Sequence, residues 1–466
     1  MARYFESELE HKVAEDLKRK GIAVVRKAAT IGRKNIDMIG YTINNEGKLE
    51  PQVIVEVKRF LSMDAQRQLM DYAEVCATPF ALLATPEKYI WFETKTFLQI
   101  DEPQFTNERT FVDNDEEIEK LLWGLFDLLR GNFSISEEIE ILLYSLLIRA
   151  YLHEQNAMGK WSEISTSEEY HNLLVKAFEY FKIDEGYERK QIPENIVQSI
   201  VWNLNVLPPI HPIYSRISLN ILEKKRDIGL YVTPSSVRNL FACLVKSLNL
   251  TNVRALDMSA GYGAITFEIM RECDISSLTA YEIDRRASSY LKIISVISGY
   301  SNLTVYSEDV LQANEELKND SYGLVLVDPP LLKIQGDTDG YKMFHVTQKG
   351  TRKRIDASEL FIEKAINSVE AGGYVVALVP EGVLFSKPSQ ITREFIKEKM
   401  IIEAIISLPP HSLKPYSAVK VSLLVMRKKL EENEKAKELF LAKPDSIEQF
   451  EEVVEGFKTW RTGGKI

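Results

Sequence analysis

The sequence predicts two α/β parts joined by a helical stretch, and three observations carry that expectation. From about residue 226 onward seven apolar runs (VRALDMS, LTAYEID, NLTVYSED, GLVLVDPP, GYVVALVP, IEAIISLP and KVSLLVMRK) are mostly separated by segments of helical period. Alternation of this kind builds a largely parallel, doubly wound sheet, here of seven strands. Residues 1 to about 105 run differently. A helix-period stretch, Phe5 to Lys20, is closed by Gly21 and followed by the β-rich runs IAVVRKA, NIDMIGYTI and QVIVEVKRF. A helical run (MDAQRQLMDYAEVC) and two more apolar runs (FALLAT, YIWFET) complete a small α/β unit. Between the two, from about 115 to 225, acidic and leucine-rich segments keep a helical period and are broken near residue 210 by LPPIHPIYS. They read as a helical bundle spacing the α/β parts. A stretch of mixed charge, about 431 to 466, reads as a charged C-terminal tail after a third part spanning 226 to 430.

Bulk properties bound the answer. A chain of 466 residues exceeds what one core supports, so two to four domains are expected. The apolar fraction of 45% and charged fraction of 27% exclude a disordered or fibrous class. No apolar run is long enough to span a bilayer, and the start, MARYFESELEHK, lacks a signal-peptide pattern. Cys76, Cys243 and Cys273 lie far apart without metal-ligand spacing. A reduced, cytoplasmic compartment follows, with the cysteines expected as small buried hydrophobes. The net charge of -10 argues against a uniformly basic nucleic-acid binder, although such binding needs only a local basic surface. Lys349 to Arg354 (KGTRKR), flanked by Lys333 and Lys342, is either that surface or a solvated loop.

The chemistry of the C-terminal part concentrates at strand tips. Asp257 ends an apolar run, and Gly261 and Gly263 form a tight turn into a helix. Ligands of doubly wound sheets bind at the carboxyl ends of strands, and glycines there let a ligand approach the backbone. The next run ends in Tyr281-Glu282-Ile283-Asp284, placing an acid where ribose hydroxyls would bind. A dinucleotide site would use the same layout. Asp309 ends the third run, where it could accept from an adenine amino group. The fourth run carries Asp328-Pro329-Pro330 at its tip, about 70 residues after Asp257. Two prolines stiffen that backbone, so the carboxylate and an adjacent carbonyl can accept from an exocyclic amine and aim its lone pair.

With these residues the chain resembles the N6-adenine DNA methyltransferases, especially the modification subunits of type I restriction systems, over about residues 120 to 430. Gly229-Leu230-Tyr231-Val232-Thr233-Pro234 is similar to the family's G-x-F/Y-x-T-P segment, which implies that Tyr231, Thr233 and Pro234 lie over the methionine part of S-adenosylmethionine. The resemblance further implies a Rossmann-like, class I methyltransferase fold. In it Asp257, Gly261 and Gly263 form the glycine loop, Glu282 binds ribose, Asp309 contacts the adenine edge, and Asp328 serves cofactor and substrate together. Asp328, Pro329 and Pro330 match the catalytic N/D-P-P-F/Y, whose fourth position is Leu331 here. The family's aromatic stacks on an extruded base, a contact of about 1–3 kcal/mol, so Leu331 leaves slower methylation, another target or none as outcomes. The glycine loop also reads Asp-Met-Ser-Ala-Gly instead of Asp-Pro-x-x-Gly.

A second constellation lies near the start. Asp37 sits in one apolar run, and Glu56-Val57-Lys58 closes the next. Two carboxylates can hold Mg²⁺, and a lysine beside them can orient water or stabilise developing charge. Glu10 lies on the preceding helix, and Gln68 and Tyr72 share a face of the following one. This order resembles the PD-(D/E)xK nucleases, most of all the N-terminal nuclease domain of type I restriction subunits, over about residues 1 to 100. The resemblance implies metal ligation by Asp37 and Glu56, catalysis by Lys58, and auxiliary roles for Gln68, Tyr72 and Glu10.

Together these features predict a restriction–modification enzyme: a Mg²⁺-dependent DNA endonuclease joined to an adenine-N6 methyltransferase. No G-x-x-x-x-G-K-S/T occurs, and about 35 residues follow the last predicted strand, so target recognition is expected from a separate specificity subunit. Expected partners are double-stranded DNA, that subunit and a second copy of the chain, with no membrane. Two alternatives stand beside this reading. In one, the methyltransferase fold only docks DNA or senses the cofactor for the nuclease. In the other, it methylates RNA or protein.

Overall fold

The computed structural model describes residues 2–31, 34–43, 49–105, 111–112, 114–183, 190–224, 231–313, 321–335, 341, 343–348, 354–436 and 438–463. The chain divides into two compact units. One comprises Met1–Phe133, Tyr144–Ala177 and Arg189–Ile210; the other comprises Ser134–Leu143, Phe178–Glu188 and His211–Ile466. The helical stretch read as a spacer is therefore shared out between the units and does not stand alone. Its longest helix, Ile135–Glu154, shows the reason. Ile139, Leu142, Leu143, Leu146, Leu147, Ile148 and Ala150 are all buried, which is apolar surface on nearly every side. A helix of that kind is covered all round and becomes part of a core. Among the described residues no helix is long and apolar enough to cross a membrane.

The first unit is built on a six-stranded sheet in sequential order: β1 (Val24–Ile31), β2 (Lys34–Ile43), β3 (Leu49–Val57), β4 (Phe80–Ala84), β5 (Tyr89–Glu93) and β6 (Gln99–Ile100). All neighbours are antiparallel except β3 and β4, which are parallel and joined through the helix Met63–Cys76. Strand alternation sorts the core onto two faces. Met38, Val53, Val55 and Val57 pack with Leu9, Val13 and Leu17 of the helix Ala2–Arg19. Ile39 and Ile54 pack on the other face with Ala65, Leu69, Tyr72 and Ala73 of Met63–Cys76.

The second unit carries an eight-stranded sheet, β16-β14-β15-β13-β10-β7-β8-β9. Its strands are β7 (Val253–Asp257), β8 (Ile275–Tyr281), β9 (Leu303–Tyr306), β10 (Tyr322–Val327), β13 (Val369–Pro380), β14 (Met400–Ser407), β15 (Val421–Lys428) and β16 (Phe440–Ala442); β11 (Lys333–Gln335) and β12 (Arg354–Asp356) form a separate antiparallel pair. Only β15 runs antiparallel to its sheet neighbours. The seven expected strands are all present. The eighth, β16, comes from the segment read as a charged tail. It pairs parallel with β14, and the helix Phe450–Arg461 that follows packs on the helix Ser235–Lys246. Buried Phe440, Val453, Val454 and Phe457 hold that segment down. The cysteines also differ from expectation: Cys243 is exposed, and Cys76 and Cys273 are half-buried. On Ser235–Lys246 the buried stripe is taken by Val237, Leu240, Phe241 and Leu244, which leaves position 243 facing solvent.

The chain lays down β7, β8 and β9 in one direction and then returns to β10 on the other side of β7. The carboxyl ends of β7 and β10 therefore form a topological switch point, where open α/β sheets bind ligands.

Candidate active sites

At that switch point the loop after β7 is fixed from within. Asp257, 2% exposed, accepts from Thr266 Oγ1 at 2.7 Å and from the Ser259 N–H at 3.2 Å, tying the loop to the helix Ala264–Glu272. Burial pushes its carboxyl up to about 7. Gly263 caps the helix at φ 86°, and a Cβ there would lie 2.4 Å from the Phe267 ring and 2.6 Å from Leu291. Gly261 also has positive φ (55°), but a Cβ there would meet nothing within 4 Å, so this side of the loop is open to a ligand. Gly263→Ala should therefore cost the second unit about 1–3 kcal/mol through overpacking and left-handed strain. A chemical-denaturation midpoint equal to that of the parent would contradict the assignment.

The neighbouring tips complete a pocket. Glu282 follows β8 and accepts from the Gly261 N–H at 2.8 Å and the Asp284 N–H at 2.7 Å; burial raises its carboxyl. Asp309 lies beyond β9 and accepts from Gln312 Nε2 at 2.9 Å and Tyr341 Oη at 3.1 Å. With Tyr231, Thr233, Gly261 and Asp328, these carboxylates line a cavity of about 410 Å³. That lies within the range of roughly 300–1,000 Å³ typical of small-molecule sites.

Asp328 stands directly after β10. Thr233 Oγ1 donates to its Oδ2 at 2.5 Å, and Ser259 Oγ donates to its carbonyl at 3.0 Å. Three segments distant in sequence thus meet on one residue, whose carboxyl burial pushes up to about 6. Pro329 is buried, Pro330 is exposed on the cavity wall, and Leu331 is half-buried ahead of β11. Pro234 and Gly263 do not line the cavity; they stand at the N-caps of the helices Ser235–Lys246 and Ala264–Glu272. Tyr231 meets the Tyr416 ring edge-on at 5.2 Å, and burial together with the nearby Asp328 carboxylate raises its phenol. Gly229 and Leu230 of the same segment lie outside the described residues, as do Lys342 and residues 349–353 of the basic stretch. Lys333 and Arg354 are exposed on β11 and β12.

Sequence reasoning missed the support of Thr233. Arg238, 2% exposed, donates from Nη1 to the Thr233 carbonyl at 3.2 Å and to Glu223 at 2.6 Å. Its Nε reaches Glu268 at 3.4 Å, and its Nη2 reaches Asn220 at 3.0 Å. Ser259 and Tyr416 were missed as well. A serine in a loop and a tyrosine far along the chain carry no signal until the fold brings them to the switch point.

The first unit gathers a second site. Asp37 on β2 and Glu56 on β3 are neighbours across the sheet, and Asp37 Oδ2 accepts from the Val57 N–H at 2.7 Å. Glu56 is 1% exposed, its Oε1 pairs with Lys58 Nζ at 2.5 Å, and its Oε2 has no hydrogen-bond partner. Burial pushes this carboxyl up to about 7, assisted by the Asp37 charge and opposed by Lys58. The helix Met63–Cys76 packs over β3 and β4, and on it Gln68 Nε2 donates to Tyr72 Oη at 2.6 Å. Glu10 stands apart: it lines a different cavity with His11, Lys18, Arg26 and Lys27. Among the described residues no group of three or more His, Cys, Asp or Glu gathers as for a metal ion.

The sheet order, the single antiparallel strand and the pocket at the switch point define an α/β fold of the class I methyltransferase kind. The chain belongs to the N-6 DNA methylase family, whose model matches residues 216–458, wholly within the second unit. The type II methyltransferase M.BsuBI of Bacillus subtilis is 23% identical over 188 residues, covering 36% of this chain and 36% of that protein. The uncharacterized protein YtxK of Bacillus subtilis strain 168 is 26% identical over 200 residues, covering 41% and 58%. The chain thus spans between about a third and three-fifths of the length of these relatives. The type I restriction-modification system methyltransferase subunit from Streptococcus thermophilus superposes with a TM-score of 0.51 at 15% identity, over 74% of this chain and 94% of that one. At that identity the likeness is one of fold.

Proposed function

We propose that the second unit transfers the methyl group of S-adenosylmethionine to the N6 amine of adenine in DNA. We further propose that the first unit is a Mg²⁺-dependent DNA endonuclease, and that the two form a restriction–modification enzyme. The observation that carries the first part is the convergence of Thr233, Ser259 and Asp328 on one wall of the 410 Å³ cavity. The pocket suits the cofactor: Glu282 and Asp309 offer acceptors for hydroxyls and an amino group, and Gly261 leaves room for close approach. When bound, S-adenosylmethionine supplies an electrophilic methyl group. Thr233 fixes the rotamer of Asp328, whose other carboxylate oxygen accepts one N–H of the adenine amine. A carbonyl of the Asp-Pro-Pro segment accepts the second. That pairing turns the nitrogen lone pair outward, and orientation supplies much of the barrier reduction in such displacements. The excess proton leaves to Asp328 Oδ1, which suits a carboxyl raised to about 6.

A pH dependence follows. Protonated Asp328 cannot accept from the amine, so kcat/KM for methylation should fall as pH drops through about 6. Folding stability responds to pH in the opposite sense. The folded pKa values of Asp328 and Asp257 lie above the unfolded ones, so their contribution is greatest at low pH and is lost as pH rises through about 6 to 7. A flat rate profile between pH 5 and 8 would overturn the role given to Asp328. Digesting treated DNA to nucleosides tests the target itself: N6-methyladenine is expected, and methyl found only on cytosine would refute the reading.

For the first unit, Asp37 and Glu56 fit Mg²⁺, which commonly takes one or two carboxylates and completes its shell with water and phosphate. A buried Glu56 Oε2 without a hydrogen-bond partner is the feature that calls for a cation. Bound there, Mg²⁺ would polarise a phosphate and acidify water. Lys58 would orient that water. Plasmid nicking should require Mg²⁺, stop with EDTA and vanish in Lys58→Ala; nicking that persists in the variant removes this site. A separate specificity subunit is carried over from the resemblance to type I systems. Leu331 favours one second reading, in which the pocket binds cofactor and docks DNA without transferring methyl.

A further inference from the structure

The loop leaving the end of β3 carries large apolar side chains into solvent immediately after Lys58. Phe60 is 69% exposed, Leu61 49% and Met63 76%. Single exposed hydrophobes are ordinary, but three within four residues on one tip mark an interaction surface. The tip is held in place. Ser62 caps the helix Met63–Cys76 by accepting from the Ala65 N–H at 3.1 Å, so Met63 opens the helix at a fixed position. Its rim is cationic. The Arg59 guanidinium lies 5.4 Å from the Phe60 ring centroid, and exposed Arg67 stands one helical turn beyond Met63. Residues 58–67 thus set Lys58, Arg59 and Arg67 against Asp64 alone, in a chain whose net charge is -10.

An apolar centre with a positive rim, beside the carboxylates and lysine proposed to engage a phosphate, suits duplex DNA. Cations track the backbone, while Phe, Leu and Met side chains can part a base step. We infer that Phe60 and Met63 form a wedge that inserts between base pairs of duplex DNA next to the phosphate presented to Asp37, Glu56 and Lys58. The inference rests on the nuclease reading of the first unit. Within that reading the wedge holds the strand open at the cleavage step, and Leu61 flanks the parted bases.

Parting base pairs unwinds the helix whatever the sequence, so the test needs no knowledge of a recognition site. Full-length Lys58→Ala protein is incubated with relaxed circular plasmid and a topoisomerase. The DNA is then freed of protein and its linking number measured. A shift in topoisomers is expected with Lys58→Ala. It should disappear when Phe60→Ala and Met63→Ala are added, with plasmid affinity falling about tenfold, and return with Phe60→Trp in place of Phe60→Ala. The wedge is overturned if Lys58→Ala binds plasmid without shifting it, or if the shift survives loss of both side chains. Cleavage by the parent protein in Mg²⁺ is scored separately, so the wedge can fail while the nuclease reading stands, and the reverse.

Discussion

Replacing Asp328 by alanine is expected to lower methyl transfer by about 10²–10³-fold while leaving cofactor affinity within a few-fold. Removal of one positioned polar group from a preorganised site costs on that order. The substitution deletes the proposed acceptor for the target amine. It leaves Glu282, Asp309 and the Gly261 turn, which carry the proposed cofactor contacts, in place. Asp328→Asn keeps an acceptor oxygen and should retain more activity than alanine. Initial rates together with calorimetric titration of cofactor separate the two effects. A parallel loss of both would make Asp328 a structural residue of the pocket, and full activity in the alanine variant would mean that another group accepts the amine.

The second large effect concerns Arg238. Arg238→Ala should destabilise the second unit by about 3–5 kcal/mol, the usual consequence of removing one partner from a buried ionic network. Glu268, 3% exposed, would lose one cationic partner, and the Thr233 carbonyl and Asn220 would lose a donor each. Thr233 would then hold Asp328 less firmly, so methyl transfer should fall even at temperatures where the variant is folded. Arg238→Lys can keep one ion pair but not the fork of contacts, and should recover only part of the stability. Denaturant unfolding measures the loss. A change below about 1 kcal/mol would place the network outside the group that holds the fold.

Much of this arrangement was legible from the sequence because strand tips announce themselves. Asp257, Glu282, Asp309 and Asp328 each end or follow an apolar run, and doubly wound sheets bring such ends to one edge. Asp37 and Glu56 were legible for the same reason, since period-2 alternation puts both on the face covered by Met63–Cys76. What escaped depends on tertiary packing. β16 is three residues long, and only its pairing with β14 makes it a strand. Arg238 reads as one more charge on a helix, and its burial follows from carboxylates fifteen residues before it and thirty residues after it. Glu10 fitted the expected pattern by position on its helix, but the buried face of that helix packs on the sheet face opposite the one that Met63–Cys76 covers.

The most direct test of the central claim is transfer of labelled methyl from S-adenosylmethionine to unmethylated DNA, using protein purified with any co-eluting partner and Asp328→Ala as control. Label appearing in DNA with the parent protein and absent with the variant is the predicted result, and it would make Leu331 a tolerated departure. No transfer by protein that binds the cofactor, with its partner present, would contradict the claim and leave the second unit as a sensor or scaffold for the first.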